Sequence, residues 1–213
     1  MARTEVPFVV KVCGITCEED ARGAVAAGAN ALGFNFYSGS PRYISPERAR
    51  EIVAAVSGGY LKVGVFVNAS EPELLSIGAT VPLDVLQLHG ERIEIPDCPQ
   101  FRIWRSIPGD SASPKYNERI EAYLLDAATP RYGGSGRQFD WQLAANFDHR
   151  AIVAGGLDAS NVAEAIAIVR PWGVDACSRI EASPGKKDLR HVRDFVAAAL
   201  KASETFLTEE IKS

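Results

Sequence analysis

Two reactive side chains, Cys13 and Asp126, each end an apolar stretch that has the pattern of a β-strand. Cys13 closes the first such stretch of the chain, and Asp126 closes the sixth. A thiol and a carboxyl group facing one substrate can remove a proton from one atom and deliver a proton to another. Two simpler interpretations stay open, since free cysteines are often small buried hydrophobes and aspartates often cap loops. The pair predicts proton-transfer chemistry.

Glycine-rich segments follow the later candidate strands and indicate a site for a phosphate group. Residues 133–136 follow the sixth strand, Gly155 and Gly156 follow the seventh, and residues 175–178 close the eighth. Backbone N–H groups without bulky side chains can approach phosphate oxygens closely, although glycines also serve ordinary turns. The candidate binding residues in these loops are Gly134, Ser135, Gly155, Gly156, Asp175, Cys177 and Ser178.

The elements that must position these residues alternate between strand-like and helix-like segments. Strands are predicted from apolar runs over residues 8–12, 31–36, 62–67, 84–88, 101–106, 123–125, 151–154 and 173–177. Helices are predicted over residues 18–27, 46–56, 160–169 and 189–201, with Ser45 and Asp188 as N-caps and Gly28 as a C-cap. Prolines within residues 91–99 and 108–114 leave little room for full helices there.

Eight strands alternating with helices predict an α/β protein, a single (β/α)8 or TIM barrel over residues 1–213. The units after strands four and five are shortened, which explains a length below the ~250 residues typical of this fold. The polar tail from about residue 203 is expected to pack loosely. In such barrels the loops after the strands form the site, so Cys13 and Asp126 should face the same mouth.

The composition narrows the class of protein further. A net charge of −4 argues against a nucleic-acid or membrane-surface partner, and no apolar run approaches the roughly 18 residues of a bilayer span. The N-terminus lacks the apolar core of a signal peptide, which predicts a cytoplasmic protein. The four scattered cysteines indicate neither a disulfide framework nor a metal site, and no obligatory protein partner is inferred.

Nine short motifs, in order along about residues 9–195, resemble those of the phosphoribosylanthranilate isomerase family. They are residues 11–16, 40–45, 63–68, 87–90, 124–126, 133–136, 139–141, 154–157 and 184–188. The resemblance implies an Amadori rearrangement, which converts N-(5-phosphoribosyl)anthranilate to 1-(2-carboxyphenylamino)-1-deoxyribulose 5-phosphate in tryptophan biosynthesis. The implied substrate is a small sugar phosphate, and the implied reaction needs no metal or organic cofactor, because the substrate nitrogen is the electron sink.

The resemblance also implies roles for individual residues. Asp126 would be the general acid that protonates the ring oxygen, which requires a raised pKa, and Cys13 the general base at C2′, which requires a lowered one. Arg42 is the candidate for the anthranilate carboxylate because its planar fork matches two oxygens, although a solvated loop arginine remains the alternative. Gln87 and His89 are supporting candidates, with a packed structural histidine as the alternative. Lys11 is given no role, on the expectation that it points away from Cys13.

The eighth strand departs from the family pattern. Cys177 stands where the family has a serine, and Arg179 stands where it has a glycine. Arg179 would either strain the backbone and block the site or add a cation for phosphate. Two alternatives to the isomerase therefore stay open. One is a sister sugar-phosphate barrel: an indole-glycerol-phosphate synthase-like lyase, a histidine-pathway isomerase or a pentose-phosphate epimerase. The other is a phosphate-binding barrel that has lost catalysis.

Overall fold

A closed barrel of eight parallel strands forms the centre of the molecule, in the order of the sequence. The computed structural model describes residues 8–91, 95–127 and 138–210. β1 pairs with β8 as well as with β2, which closes the barrel and confirms the predicted fold. The strands are β1 (Val9–Cys13), β2 (Ala31–Asn35), β3 (Leu61–Val67), β4 (Val85–His89), β5 (Arg102–Pro108), β6 (Ile120–Asp126), β7 (Ala151–Val153) and β8 (Gly173–Ala176).

Five α-helices in the described residues pack outside the barrel, and their ends follow local sequence signals. They are α1 (Glu18–Ala27), α2 (Pro46–Ala55), α3 (Glu71–Thr80), α4 (Val162–Val169) and α5 (Leu189–Glu210). Helix α1 ends at Gly28, whose φ of 104° suits glycine, and the Ser45 side chain accepts a hydrogen bond from the Arg48 N–H at the start of α2. Helix α3 lies where the sequence predicted none. No helix in the described residues is long and apolar enough to cross a membrane.

The units after β4 and β5 are shortened, as the prolines predicted. The described residues between β4 and β5, and those between β5 and β6, contain no helix. The described residues between β6 and β7 contain only a short 3-10 helix, Trp141–Ala144, so the sixth unit is also reduced in this part of the chain. The sequence did not predict that third reduction.

Side chains that alternate between the two faces of each strand form two apolar layers, one inside the barrel and one outside it. Apolar side chains that point inward fill the lower barrel, and those that point outward pack against the helices. Above the inner apolar layer lie buried polar side chains, among them Lys11, Gln87 and Asp175. Lys11 and Cys13 are two positions apart on β1 and therefore share a face. The expectation that Lys11 points away from Cys13 is wrong, because only adjacent strand residues alternate.

The C-terminal part differs from the prediction in two ways. After β8, β9 (Glu181–Ser183) and β10 (Lys186–Lys187) form a small antiparallel hairpin that the sequence did not predict. Helix α5 continues to Glu210 instead of ending near Lys201. Ser203 is buried because it lies on the same helical face as Phe195 and Ala199, and its hydroxyl donates to the Leu200 carbonyl. Residues 203–210 of the segment that was expected to pack loosely are therefore helical.

Candidate active site

Cys13 lies at the end of β1, beside the end of β8. Val12 is in register with Ala176, so the residues that follow them, Cys13 and Cys177, are brought together at the barrel mouth. Cys13 is buried, and the space for its sulfur comes from Gly33 on β2, where a Cβ would lie 2.7 Å from the Cys13 Sγ. The sequence needs glycine at position 33 for this reason.

The surroundings of Cys13 favour its thiolate. The pKa of Cys13 lies well below its ordinary value, chiefly because the Cys177 thiol donates a hydrogen bond to it. Burial opposes this shift, while the positive charges of Lys11 and Lys187 support it. The same hydrogen bond, together with burial, raises the pKa of Cys177, which therefore keeps its proton. Cys13 is thus prepared to accept a proton.

A buried ion pair lies beneath Cys13. The Lys11 Nζ is 2.8 Å from the Asp175 Oδ2, and the lysine has no exposed side-chain surface. Burial acts to lower the pKa of Lys11, but Asp175 and Cys13 outweigh it and hold the pKa above its ordinary value. Burial raises the pKa of Asp175 to about 7. The ammonium group of Lys11 is therefore a fixed positive charge, which the sequence analysis missed although the i, i+2 spacing signals it.

Asp126 ends β6 and faces the same mouth. Burial, the larger cause, and the negative charge of Cys13 raise its pKa to about 6, although the Ala127 N–H donates to its Oδ1 at 2.8 Å. A carboxyl group with that pKa still carries a proton in a substantial fraction of molecules near neutrality. Asp126 and Cys13 therefore have pKa values displaced in the directions that acid and base catalysis require.

Arg42 lies in the segment between β2 and α2 and is buried. Its Nε and Nη2 donate to the two carboxylate oxygens of Glu181, at 3.0 and 2.8 Å, and the Lys187 Nζ lies 2.9 Å from the same carboxylate. Arg42 is therefore not a solvated loop arginine. Its Nη1 donates no hydrogen bond within the described residues. Glu181 and Lys187 were not predicted from the sequence, because they come together only where the unpredicted hairpin folds back.

Gln87 and His89 lie on the inner face of β4. Their Nε2 atoms are 2.7 Å apart, and both side chains are buried. Burial, helped by the charges of Lys11 and Arg105, lowers the pKa of His89 to about 3, so this ring is neutral. A neutral, packed imidazole fits the structural interpretation of His89 and does not by itself indicate a catalytic role.

The loops after β7 and β8 were predicted from the sequence to bind phosphate, and the structure describes both of them. Gly155 and Gly156 have φ values of 83° and 64°, a conformation that glycine adopts readily. Ser178 begins a short 3-10 helix that ends at Ile180. Gly134 and Ser135, the remaining candidates of this group, lie outside the described residues.

Arg179 neither strains the backbone nor fills the loop after β8. Among the described residues, the non-glycine residues with positive φ are Asn68 and Arg170, so position 179 does not require glycine. The Arg179 Nε donates to the Asp158 Oδ2 at 2.6 Å, and the side chain is partly exposed. This ion pair joins the loops after β7 and β8 at their outer side. The expectation that position 179 needs the backbone conformation of glycine is therefore wrong.

Fold and site together define a (β/α)8-barrel enzyme with an acid–base pair at its mouth. In the described residues no three His, Cys, Asp or Glu side chains are grouped as a metal site would need. The family model that describes N-(5′-phosphoribosyl)anthranilate (PRA) isomerase matches residues 10–198. The chain belongs to this family of isomerases.

Individual relatives agree with this assignment over nearly their whole length. The N-(5′-phosphoribosyl)anthranilate isomerase of Solibacter usitatus (strain Ellin6076) is 50% identical over 198 residues, which cover 90% of this chain and 97% of the relative. The crystal structure of the Thermus thermophilus enzyme has a TM-score of 0.80 at 35% identity and covers 91% and 98% of the two chains. A second structure, of the isomerase in complex with reduced 1-(o-carboxyphenylamino)-1-deoxyribulose 5-phosphate, has a TM-score of 0.75 at 35% identity and covers 91% and 99% of the two chains.

Proposed function

We propose that this protein isomerises N-(5-phosphoribosyl)anthranilate in tryptophan biosynthesis, with Asp126 as the general acid and Cys13 as the general base. Membership of the isomerase family supports the reaction. The observation that carries the assignment of roles is the pair of opposite pKa shifts at one mouth, upward at Asp126 and downward at Cys13. Each shift moves its group toward the protonation state that its role requires.

Asp126 opens the sugar ring. Its carboxyl group gives a proton to the furanose oxygen, the bond from C1′ to that oxygen breaks, and the substrate nitrogen supplies the electron pair of the resulting Schiff base. Burial supports this role, because it raises the pKa of Asp126 to about 6. An aspartate with the ordinary pKa of ~3.9 would carry about a hundredfold less acid at neutral pH.

Cys13 then removes the proton from C2′. The electrons of that C–H bond pass toward the protonated nitrogen and give an enolamine, which tautomerises to the ketose. The nearby charges of Lys11 and Lys187 and the hydrogen bond from Cys177 support a thiolate in the resting enzyme. Because the substrate nitrogen accepts the electron pair, this sequence of steps uses no metal or organic cofactor.

Arg42 and the glycine loops are proposed to hold the two ends of the substrate. The Nη1 side of the Arg42 guanidinium points away from its contacts with Glu181 and matches the geometry of a carboxylate. The phosphate is assigned to the loops after β6, β7 and β8. The candidate residues there are Gly134, Ser135, Gly155, Gly156, Asp175, Cys177 and Ser178, with Gln87 and His89 on β4 as supporting residues.

The alternatives from the sequence are not favoured. The match of the isomerase family over residues 10–198 speaks against a lyase or an epimerase of a sister family. The idea of a silenced barrel rested on the altered loop after β8, with Cys177 and Arg179, and the contact of Arg179 with Asp158 speaks against a blocking role for that arginine. We also propose a cytoplasmic location, which four free cysteines support, since reducing compartments keep thiols reduced.

The decisive experiment follows the loss of substrate fluorescence with freshly prepared phosphoribosylanthranilate, in the presence of a chelator. Turnover is expected in the wild type and is expected to be lost in Cys13→Ser and Asp126→Asn, with circular dichroism confirming that both variants fold. His191→Gln, at an exposed position on α5, is the matched control and should keep the wild-type rate. Wild-type rates in both site variants would refute the assignment of the acid and the base.

A further inference from the structure

We propose that Cys13 and Cys177 form a peroxide-oxidisable dithiol, which closes to a reversible disulfide and switches the enzyme off. The loss of activity rests on the proposed role of Cys13 as the base, whereas formation of the cross-link does not.

The barrel brings the two sulfurs together through its strand register. β1 and β8 are hydrogen-bonded neighbours, and Val12 pairs with Ala176 one residue before each cysteine. Neighbouring strands lie about 4.8 Å apart, which falls within the roughly 4.4–6.8 Å between Cα atoms that a disulfide spans. Glycines clear the space around both thiols: a Cβ at Gly33 would lie 2.7 Å from the Cys13 Sγ, and one at Gly14 would lie 3.1 Å from the Cys177 Sγ.

Two lysine charges favour nucleophilic sulfur at this pair, against the opposing charge of the Glu181 carboxylate, whose Oε1 lies 4.0 Å from the Cys177 Sγ. The Lys187 Nζ lies 3.8 Å from the Cys177 Sγ, and Lys11 stands beneath Cys13 on the same strand face. Cationic neighbours of this kind make cysteines reactive toward oxidants. Cys177 is partly exposed, so a small peroxide can reach the pair through the barrel mouth. A reactive thiolate with a second thiol in contact is the arrangement of a redox-sensitive cysteine pair.

The chemistry balances with a peroxide as the oxidant. The Cys13 thiolate attacks one peroxide oxygen and the O–O bond breaks. The product is a sulfenic acid, and the leaving hydroxide takes up a proton to become water. The Cys177 sulfur then attacks the Cys13 sulfur, the S–S bond forms and the S–O bond breaks. The hydroxide that leaves combines with the Cys177 proton as a second water. Two thiols lose two electrons, the peroxide gains them, and a dithiol reductant reverses the change.

The other two cysteines provide internal controls. Cys98 is fully buried in the outer core, away from the mouth. Cys17 is partly exposed at the start of α1, and its sulfur lies 3.6 Å from the Lys186 Nζ. Serine is a favourable residue at a helix start, so Cys17→Ser keeps the fold while removing an accessible thiol near a cation. It is matched to Cys177→Ser in chemistry but not in position.

The test treats the full-length protein with hydrogen peroxide, quenches it, and measures three quantities. These are free thiols, disulfide-linked peptides by mass spectrometry, and turnover relative to the untreated sample of the same variant. The wild type is expected to lose at least two of its four free thiols, to yield a Cys13–Cys177 peptide, and to regain its full rate with dithiothreitol. Cys17→Ser should yield the same peptide, starting from one thiol fewer.

Cys177→Ser should yield no cross-linked peptide. Its Cys13 should instead react with dimedone, which traps sulfenic acids, and prolonged peroxide should oxidise it beyond recovery by dithiothreitol. Absence of the Cys13–Cys177 peptide from the oxidised wild type would overturn the proposal, as would its loss in Cys17→Ser. If the wild type forms the cross-link but shows no isomerase turnover before oxidation, the proposed function is refuted, while the proposal that Cys13 and Cys177 are oxidised to a disulfide still stands.

Discussion

Replacement of Lys11 by methionine should make the stability of the barrel strongly dependent on pH. In the wild type the fully buried ammonium group lies 2.8 Å from a carboxylate oxygen of Asp175, which is itself only 7% exposed. Without the lysine, an ionised Asp175 would be a buried charge without a partner. Removing one member of a buried pair typically costs about 3–5 kcal/mol. Asp175 avoids that cost by binding a proton, so the penalty depends on pH.

The sign follows from the pKa of Asp175 in the two states. In the variant, burial holds the folded pKa above about 7, its value beside Lys11, while the unfolded pKa is about 3.9. The folded state therefore binds the additional proton, and its stability falls as pH rises toward the folded pKa. The loss is about 1.4 kcal/mol per pH unit while the folded carboxyl stays protonated. From about pH 7 to pH 9 the variant should lose up to about 2.7 kcal/mol that the wild type keeps.

The assay is urea unfolding followed by tryptophan fluorescence, at several pH values between about 5.5 and 9. The double variant Lys11→Met with Asp175→Asn has no ionisable side chain at position 11 or 175. Its free energy of unfolding should therefore lack the additional pH dependence of Lys11→Met. Arg48→Met is the control for an exposed ion pair, since Arg48 and Glu51 are half-exposed, and it should change stability by less than about 1 kcal/mol. A Lys11→Met protein whose stability follows the wild type from pH 7 to 9 would refute the reasoning.

Three further predictions concern the reaction. The value of kcat/KM should fall as the pH rises above about 6, because Asp126 then loses the proton that it donates. The Asp126→Glu variant should shift the pH at which this alkaline fall occurs. Gly33→Ala should lower kcat at least tenfold, because the new Cβ would lie 2.7 Å from the Cys13 sulfur, as steady-state kinetics would measure. Arg42→Lys should raise KM about tenfold or more for the natural substrate but not for the aniline analogue that lacks the carboxylate.

Each of these predictions has a contrary outcome. An alkaline limb unchanged by Asp126→Glu would mean that another group controls it. A Gly33→Ala enzyme with the wild-type kcat would show that the Cys13 sulfur can move without consequence. Equal rises in KM for both substrates in Arg42→Lys would indicate that Arg42 acts on Glu181 and the hairpin rather than on the substrate carboxylate.

The sequence predicted most of the fold because its signals are local. Continuous apolar runs marked the eight strands, and Ser45 and Gly28 marked helix ends at the positions where the structure has them. Helix α3 was missed because Gly78 and Thr80 weaken the helical pattern within a ten-residue segment. The hairpin of β9 and β10 was missed because its strands are too short for an alternation pattern.

The candidate site was predicted in part. Strand ends placed Cys13 and Asp126 at one mouth, since all parallel strands of a barrel end on the same side. Contacts between distant segments were not predicted, because no local sequence pattern relates Arg42 to Glu181 or Cys13 to Cys177. Lys11 is a different case: the period of two was available, and it was applied to the wrong pair of positions.

The shortened units give the barrel an uneven outer wall. Every residue of β1 is buried, whereas β5, which has no helix among the described residues on either side of it, has five of its seven residues partly or fully exposed. Strands with a thin cover open to solvent at a lower free energy than strands beneath packed helices. Amide protons of β5 should therefore exchange with deuterated solvent before those of β1 and β8. The wall carrying Cys13 and Cys177 would then be the last part of the barrel to open.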